Sequence, residues 1–199
     1  RYHVASTLFA VLIIPVAVSV HSIVSWDFAM AMVPGWHSTI FAPYFVAGAI
    51  YSGIAGVITV MAFLRRVFRL ENFLTVQHFD NLGKLLLTMT LIWGYFYFSE
   101  FLTTWYSRLP EDWALVSSYG GHFLPLFLVM LTCNFLIPLP ALCLSKVRRS
   151  VPAIFIVSLI VNIGMFAERA LIVVPSLARR NDPSVWLNYF PTWVEMSYI

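Results

Sequence analysis

Charge is scarce in this chain. Of 199 residues, 12 are Lys or Arg and 9 are Asp or Glu, so charged residues make up 11% and the net charge is +3, against about 25% charged in an ordinary soluble domain. That scarcity argues against a disordered segment and against a soluble globular enzyme, both of which need polar surface. The small positive excess forms no basic stripe interleaved with aromatics, so nucleic acid is not an expected partner. Cysteine is nearly absent: Cys133 and Cys143 share one apolar segment, and ten helical residues hold them roughly 15 Å apart, too far for a disulfide. With no CxxC and no Cys/His ligand set, the chain is expected to hold neither zinc nor an iron–sulfur cluster of its own. Histidine is sparse as well, with five in all. His21 and His122 are the one conceivable axial pair, but no helix carries two well-spaced histidines, so haem is not the expected cofactor.

What is present is apolar. Hydrophobic residues make up 60% of the chain and mean hydropathy is +0.83. Five stretches reach the roughly 20 residues needed to cross a bilayer: 4–24, 40–64, 79–105, 122–144 and 151–177. The expected fold class is therefore all-α, a polytopic transmembrane helix bundle with five spans. Pro125, Pro138 and Pro140 predict a kinked fourth helix. Asp80-Asn81 is the expected N-cap of the third. Gly48-x-x-x-Ser52-x-x-x-Gly56 places small residues at spacing four, the pattern of a close helix-packing face in lipid.

Loop charge sets the orientation. With five spans, Arg1, Arg65, Arg66, Arg69, Lys146, Arg148 and Arg149 fall on one side, and Arg108, Arg179 and Arg180 on the other. The richer side is cytoplasmic by the positive-inside rule. The 25–39 connector, the 106–121 loop and the tail after Leu177 then face outward, with Trp26, Trp36, Tyr106, Trp113, Trp186, Tyr189 and Trp193 as an interfacial aromatic belt. The chain opens at Arg1 and closes on a polar tail, and reads as part of a longer protein.

An ionisable group inside a bilayer costs on the order of 3 kcal/mol, so each is a candidate functional residue. The outer half collects His21, Asp27, Glu100, His122, Glu168 and Arg169, while His78, Asp80 and Lys84 mark the cytoplasmic end of the third span. A carboxylate tuned by burial, or a histidine near neutral pKa, can accept a proton from a quinol hydroxyl. The structural alternatives are a salt bridge from Arg169 to Glu100 or Asp27, since Glu168 and Arg169 point about 100° apart on one helix, and a snorkelling Lys84. His37 and His122 lie close enough to the interface to be merely solvated.

The run His21-Ser22-Ile23-Val24-Ser25-Trp26-Asp27-Phe28-Ala29, followed by Val33-Pro34-Gly35-Trp36-His37-Ser38-Thr39 and continuing to Ala49, resembles the NrfD/polysulfide reductase membrane-subunit family. It is most similar to the ActC and ActF subunits of alternative complex III. His78-Phe79-Asp80-Asn81-Leu82-Gly83-Lys84, Glu100-Phe101, Trp105-Tyr106, Glu168-Arg169 and Tyr189-Phe190-Pro191-Thr192-Trp193 extend the likeness over nearly the whole chain.

The resemblance implies a larger subunit of two helix bundles in a bacterial cytoplasmic (inner) membrane. Residues 1–24 would be the last helix of a first, quinol-side bundle. An outer connector over 25–39 would lead to a four-helix second bundle at 40–177, with an outer tail at 178–199. Menaquinol or ubiquinol would be oxidised near the outer face, and electrons would pass to a partner iron–sulfur subunit. Multihaem cytochrome c subunits and a paralogous NrfD-like membrane subunit would complete the complex, with haems and clusters on the partners only.

On that basis Asp27 and His21 are the expected proton acceptors and His37 a further quinone-binding residue. His78, Asp80, Lys84, Glu100, Glu168 and Arg169 would form a proton pathway, whose two ends stand about 24 Å apart along the third helix. The competing readings are a non-catalytic anchor or scaffold, and the membrane subunit of a polysulfide-reductase-type molybdoenzyme. A secondary transporter is the weakest alternative, because no matched pair of broken helices is visible.

Overall fold

The computed structural model describes residues 2–31, 39–121 and 123–178. They form α1 (Tyr2–Ser25), a π turn (Trp26–Met30), α2 (Phe41–Val67), α3 (Val76–Ser107), α4 (Pro110–Tyr119), α5 (Leu124–Leu131), a second π turn (Thr132–Leu136), α6 (Pro138–Cys143), α7 (Ser145–Arg148) and α8 (Val151–Ala178). No strand occurs among the described residues. Among the described residues, five segments are long and apolar enough to cross a membrane: Tyr2–Met30, Phe41–Val67, Val76–Ser107, Leu124–Cys143 and Val151–Val174. The expected five-span helical fold is therefore the observed one.

The bundle is organised around α2, which packs on α8, α3 and α1. Three helices present buried residues at a spacing of seven: Tyr44, Tyr51 and Ile58 on α2, Phe79, Leu86 and Trp93 on α3, and Ile154, Val161 and Glu168 on α8, none more than 2% exposed. Seven residues are close to two helical turns, so each set forms one stripe along its helix, and the facing stripes make the core. Glu168 occupies a core position in this register. By contrast α1 buries only Ser25, and α2 is its main helical neighbour.

Several local expectations need correction. The first span does not end in a loop at Ser25. It continues as a π turn, in which the Ala31 N–H donates to the Trp26 carbonyl at 2.8 Å, so Asp27 stands on helical backbone. The third span begins at Val76, with Thr75 as the N-cap in extended conformation, and the Thr75 N–H donates to His78 Nδ1 at 3.2 Å. Asp80 is thus inside the helix and caps nothing. The 106–121 loop contains α4.

In the fourth span the Ile137 N–H reaches Thr132 O at 3.0 Å, closing a π turn. Pro138 has no N–H to give to Asn134 O, and the Tyr51 hydroxyl donates to that carbonyl instead, at 2.9 Å. This is how a proline is accommodated at membrane depth. Of the glycines on α2, Gly48 alone meets a neighbour: a Cβ there would lie 2.5 Å from an Arg169 guanidinium nitrogen, while Gly53 and Gly56 face open space.

Candidate functional site

Two groups of polar residues stand out on opposite sides of α2. The first is buried between α2, α3 and α8. Glu168, 1% exposed, receives two hydrogen bonds on Oε1, one from the Tyr44 hydroxyl and one from Trp93 Nε1 at 2.6 Å. Trp93 in turn stacks on Tyr97, with ring centroids 5.3 Å apart. Glu168 Oε2 lies 3.6 Å from Arg169 Nε and has no hydrogen-bond partner among the described residues, as is also true of Arg169 Nη1.

Arg169 was expected to pair with Glu100 or Asp27, and adjacency was expected to keep it from Glu168. Instead Gly48 opens a slot beside α8, the guanidinium settles over the Phe45 ring at 4.2 Å, and its Nε swings back toward the neighbouring carboxylate. A flexible arginine stem overcomes the 100° separation of the two backbone positions. Burial pushes the Tyr119 phenol on α4 well above its usual pKa, and the Glu100 carboxylate reinforces the shift.

Further polar side chains continue within the same core toward the N-terminal end of α3. Thr90 Oγ1 donates to the Tyr51 hydroxyl at 3.1 Å. Asn134 is fully buried with neither side-chain amide atom bonded among the described residues, and Gly164 leaves the room that its Oδ1 occupies. Thr59 and Ser158 hydroxyls are 2.9 Å apart, and Asn162 Nδ2 donates to Thr59 at 3.4 Å. Near the start of α3 Asp80, 2% exposed, holds Lys84 at 2.8 Å, Arg148 at 3.2 Å and Arg149 at 3.9 Å. Lys84 is therefore paired and does not snorkel freely. Arg148 also donates to the Cys143 carbonyl at 3.1 Å, which ties the α6–α7 corner to α3.

The second group is on α1. His21 Nδ1 is 2.7 Å from the Ala17 carbonyl. A carbonyl only accepts, so Nδ1 carries the proton and, in the neutral ring, Nε2 presents a lone pair. His21 borders a cleft of about 170 Å³ whose other walls are Ala17, Val18, Val46, Ala49 and Ile50. Asp27 is exposed on the π turn. The α2 residues at this cleft, Val46, Ala49 and Ile50, alternate with Tyr44, Gly48 and Tyr51, which line the core. Helix α2 therefore separates His21 from Glu168, and the two do not share one site. His37 and His122 lie outside the described residues.

Residues 1–180 match the model of the family described as Polysulphide reductase, NrfD. The chain belongs to the NrfD family. It is also 29% identical over 175 residues to a putative membrane subunit of dimethyl sulfoxide reductase from Halobacterium salinarum, a match covering 86% of this chain and 40% of that protein. The chain thus spans well under half the length of that relative. Sequence reasoning found Glu168 and Arg169 in this NrfD chain but missed Tyr44, Trp93, Tyr51 and Asn134. The signal was available in the spacing of seven on α2 and α3, and in one asparagine amid apolar neighbours.

Proposed function

We propose that this chain is part of a quinol-oxidising membrane subunit in a respiratory complex of the alternative complex III type. His21 and Asp27 contribute one wall of a quinol site near the outer face. The observation that carries the reading is the His21 tautomer: with Nδ1–H committed to Ala17 O, the Nε2 lone pair is the acceptor available for a quinol proton. The cleft of about 170 Å³ is smaller than the 300–1,000 Å³ typical of ligand pockets. An apolar cleft with one imidazole at its rim therefore fits the edge of a quinone ring, and the remaining walls come from elsewhere in the subunit. Oxidation of one quinol releases two protons and two electrons. His21 Nε2 takes one proton, the Asp27 carboxylate takes the other, and the electrons leave to a cluster in a partner iron–sulfur subunit. Multihaem cytochrome c subunits and a paralogous membrane subunit belong to the same assembly.

The polar file inside α2, α3 and α8 supports a second element of this reading, a proton pathway from His78, Asp80 and Lys84 toward Glu168 and Arg169, with Glu100 in the outer part. Thr59, Ser158, Asn162, Thr90, Tyr51 and Asn134 populate the stretch that carries no charge on α3. The anchor reading draws on the pairing of Asp80 with three cations, which is also what a static brace needs.

The deciding experiment is Asp27→Asn and His21→Gln in the assembled complex. Quinol oxidation should fall at least about a hundredfold, the low end for losing a proton acceptor, with all subunits still assembled. Wild-type turnover in both variants would leave the anchor as the better account.

A further inference from the structure

We infer that the cytoplasmic ends of α2 and α8 form a binding site for the phosphate head of an anionic diacyl phospholipid. A groove of about 680 Å³ opens there, rimmed by Arg65, Arg66 and Arg149 and floored by Phe63 and Phe155, with Glu71 as its one carboxylate. The three cations differ in what already occupies them. Arg65 donates to the Leu74 carbonyl and lies over the Phe79 ring at 6.0 Å, so it is held in place. Arg149 leans toward Asp80 at 3.9 Å while 66% exposed. Arg66 is exposed and has no ion pair or hydrogen bond among the described residues.

Three guanidiniums against one carboxylate leave an uncompensated positive rim. Asp80 does not cancel it, because Lys84 and Arg148 approach that carboxylate more closely. Below the rim the wall changes character within one turn. Phe63 precedes Arg65 by two residues on α2, and Phe155 follows Val151 by four on α8, about 6 Å deeper. Charge at the end of a span and aromatic surface one turn further in match an amphiphile with an anionic head and two apolar tails. A basic pocket between helices on the cytoplasmic side is where such heads bind. The positive-inside count puts this end at the leaflet where that holds.

The test uses the full-length subunit in its purified complex, delipidated and placed in nanodiscs of phosphatidylcholine with or without phosphatidylglycerol. Phosphatidylglycerol should bind and raise the unfolding temperature. The double variant R66Q/R149Q should bind it about thirtyfold more weakly, from two guanidiniums near a lipid phosphate. E71Q should bind it more tightly, since a like charge leaves the rim. Both variants alter exposed side chains, and their unfolding in phosphatidylcholine alone reports that the fold is kept. The inference is overturned if R66Q/R149Q binds phosphatidylglycerol as wild type does. It is also overturned if inorganic phosphate reproduces the stabilisation, which would make this a small-anion site, or if a partner subunit fills the groove in the intact complex.

Discussion

Replacing Glu168 by Gln and by Ala separates its charge from its role as a core acceptor. Glu168 Oε1 joins three helices, because Tyr44 is on α2, Trp93 on α3 and the carboxylate on α8. An interhelical hydrogen bond in a membrane protein is worth about 0.6 kcal/mol on average and about 1.7 at most. An ionised acceptor roughly doubles a neutral one, so the pair contributes ~2–3 kcal/mol. Gln keeps an acceptor oxygen at the same place and loses the charge assistance, a cost of ~1–1.5 kcal/mol. Ala loses both bonds, orphans two buried donors and leaves a void, for ~4 kcal/mol or more. Reversible unfolding of the detergent-solubilised full-length subunit against denaturing detergent would resolve the two. A Tyr44→Phe/Glu168→Gln double-mutant cycle should add a coupling near 1 kcal/mol. The reasoning fails if Ala is no worse than Gln, or if the cycle is additive within about 0.5 kcal/mol.

The glycines give a contrast on one helix. Gly48→Ala should destabilise, because its methyl group meets the Arg169 guanidinium, whereas Gly53→Ala and Gly56→Ala should be neutral or raise stability by up to about 1 kcal/mol; thermal unfolding ranks them. Gly164→Ala should be more harmful than Gly48→Ala, since its methyl group meets Cys133 Cβ and the buried Asn134, which cannot swing aside as the end of an arginine can. Tyr51→Phe removes the donor to Asn134 O and the acceptor for Thr90, at ~1–2 kcal/mol for two interhelical bonds, and should slow any proton uptake from the cytoplasmic side in reconstituted complexes. Arg108 closes α3 with φ 50°, a left-handed conformation that a side chain resists, so Arg108→Gly should leave the protein as stable or up to about 1 kcal/mol more stable by the same assay.

The length of the apolar runs and the scarcity of charge were enough to count the spans, because a bilayer demands about 20 apolar residues and tolerates no unpaired backbone. The cost of burying charge placed Glu168 and Arg169 among the candidates before any coordinates. Partner choice was a different matter. That Arg169 reaches its own neighbour depends on the slot at Gly48, and that Asp80 binds Arg148 depends on where the α6–α7 corner returns to α3. Pairings between helices far apart in sequence follow from which faces meet, and no local pattern records that. The chain alone therefore determined a five-span apolar bundle and named its costly residues. The tertiary structure decided that α2 divides those residues into a buried carboxylate cluster and a separate open histidine, because only packing determines which side of a helix is enclosed.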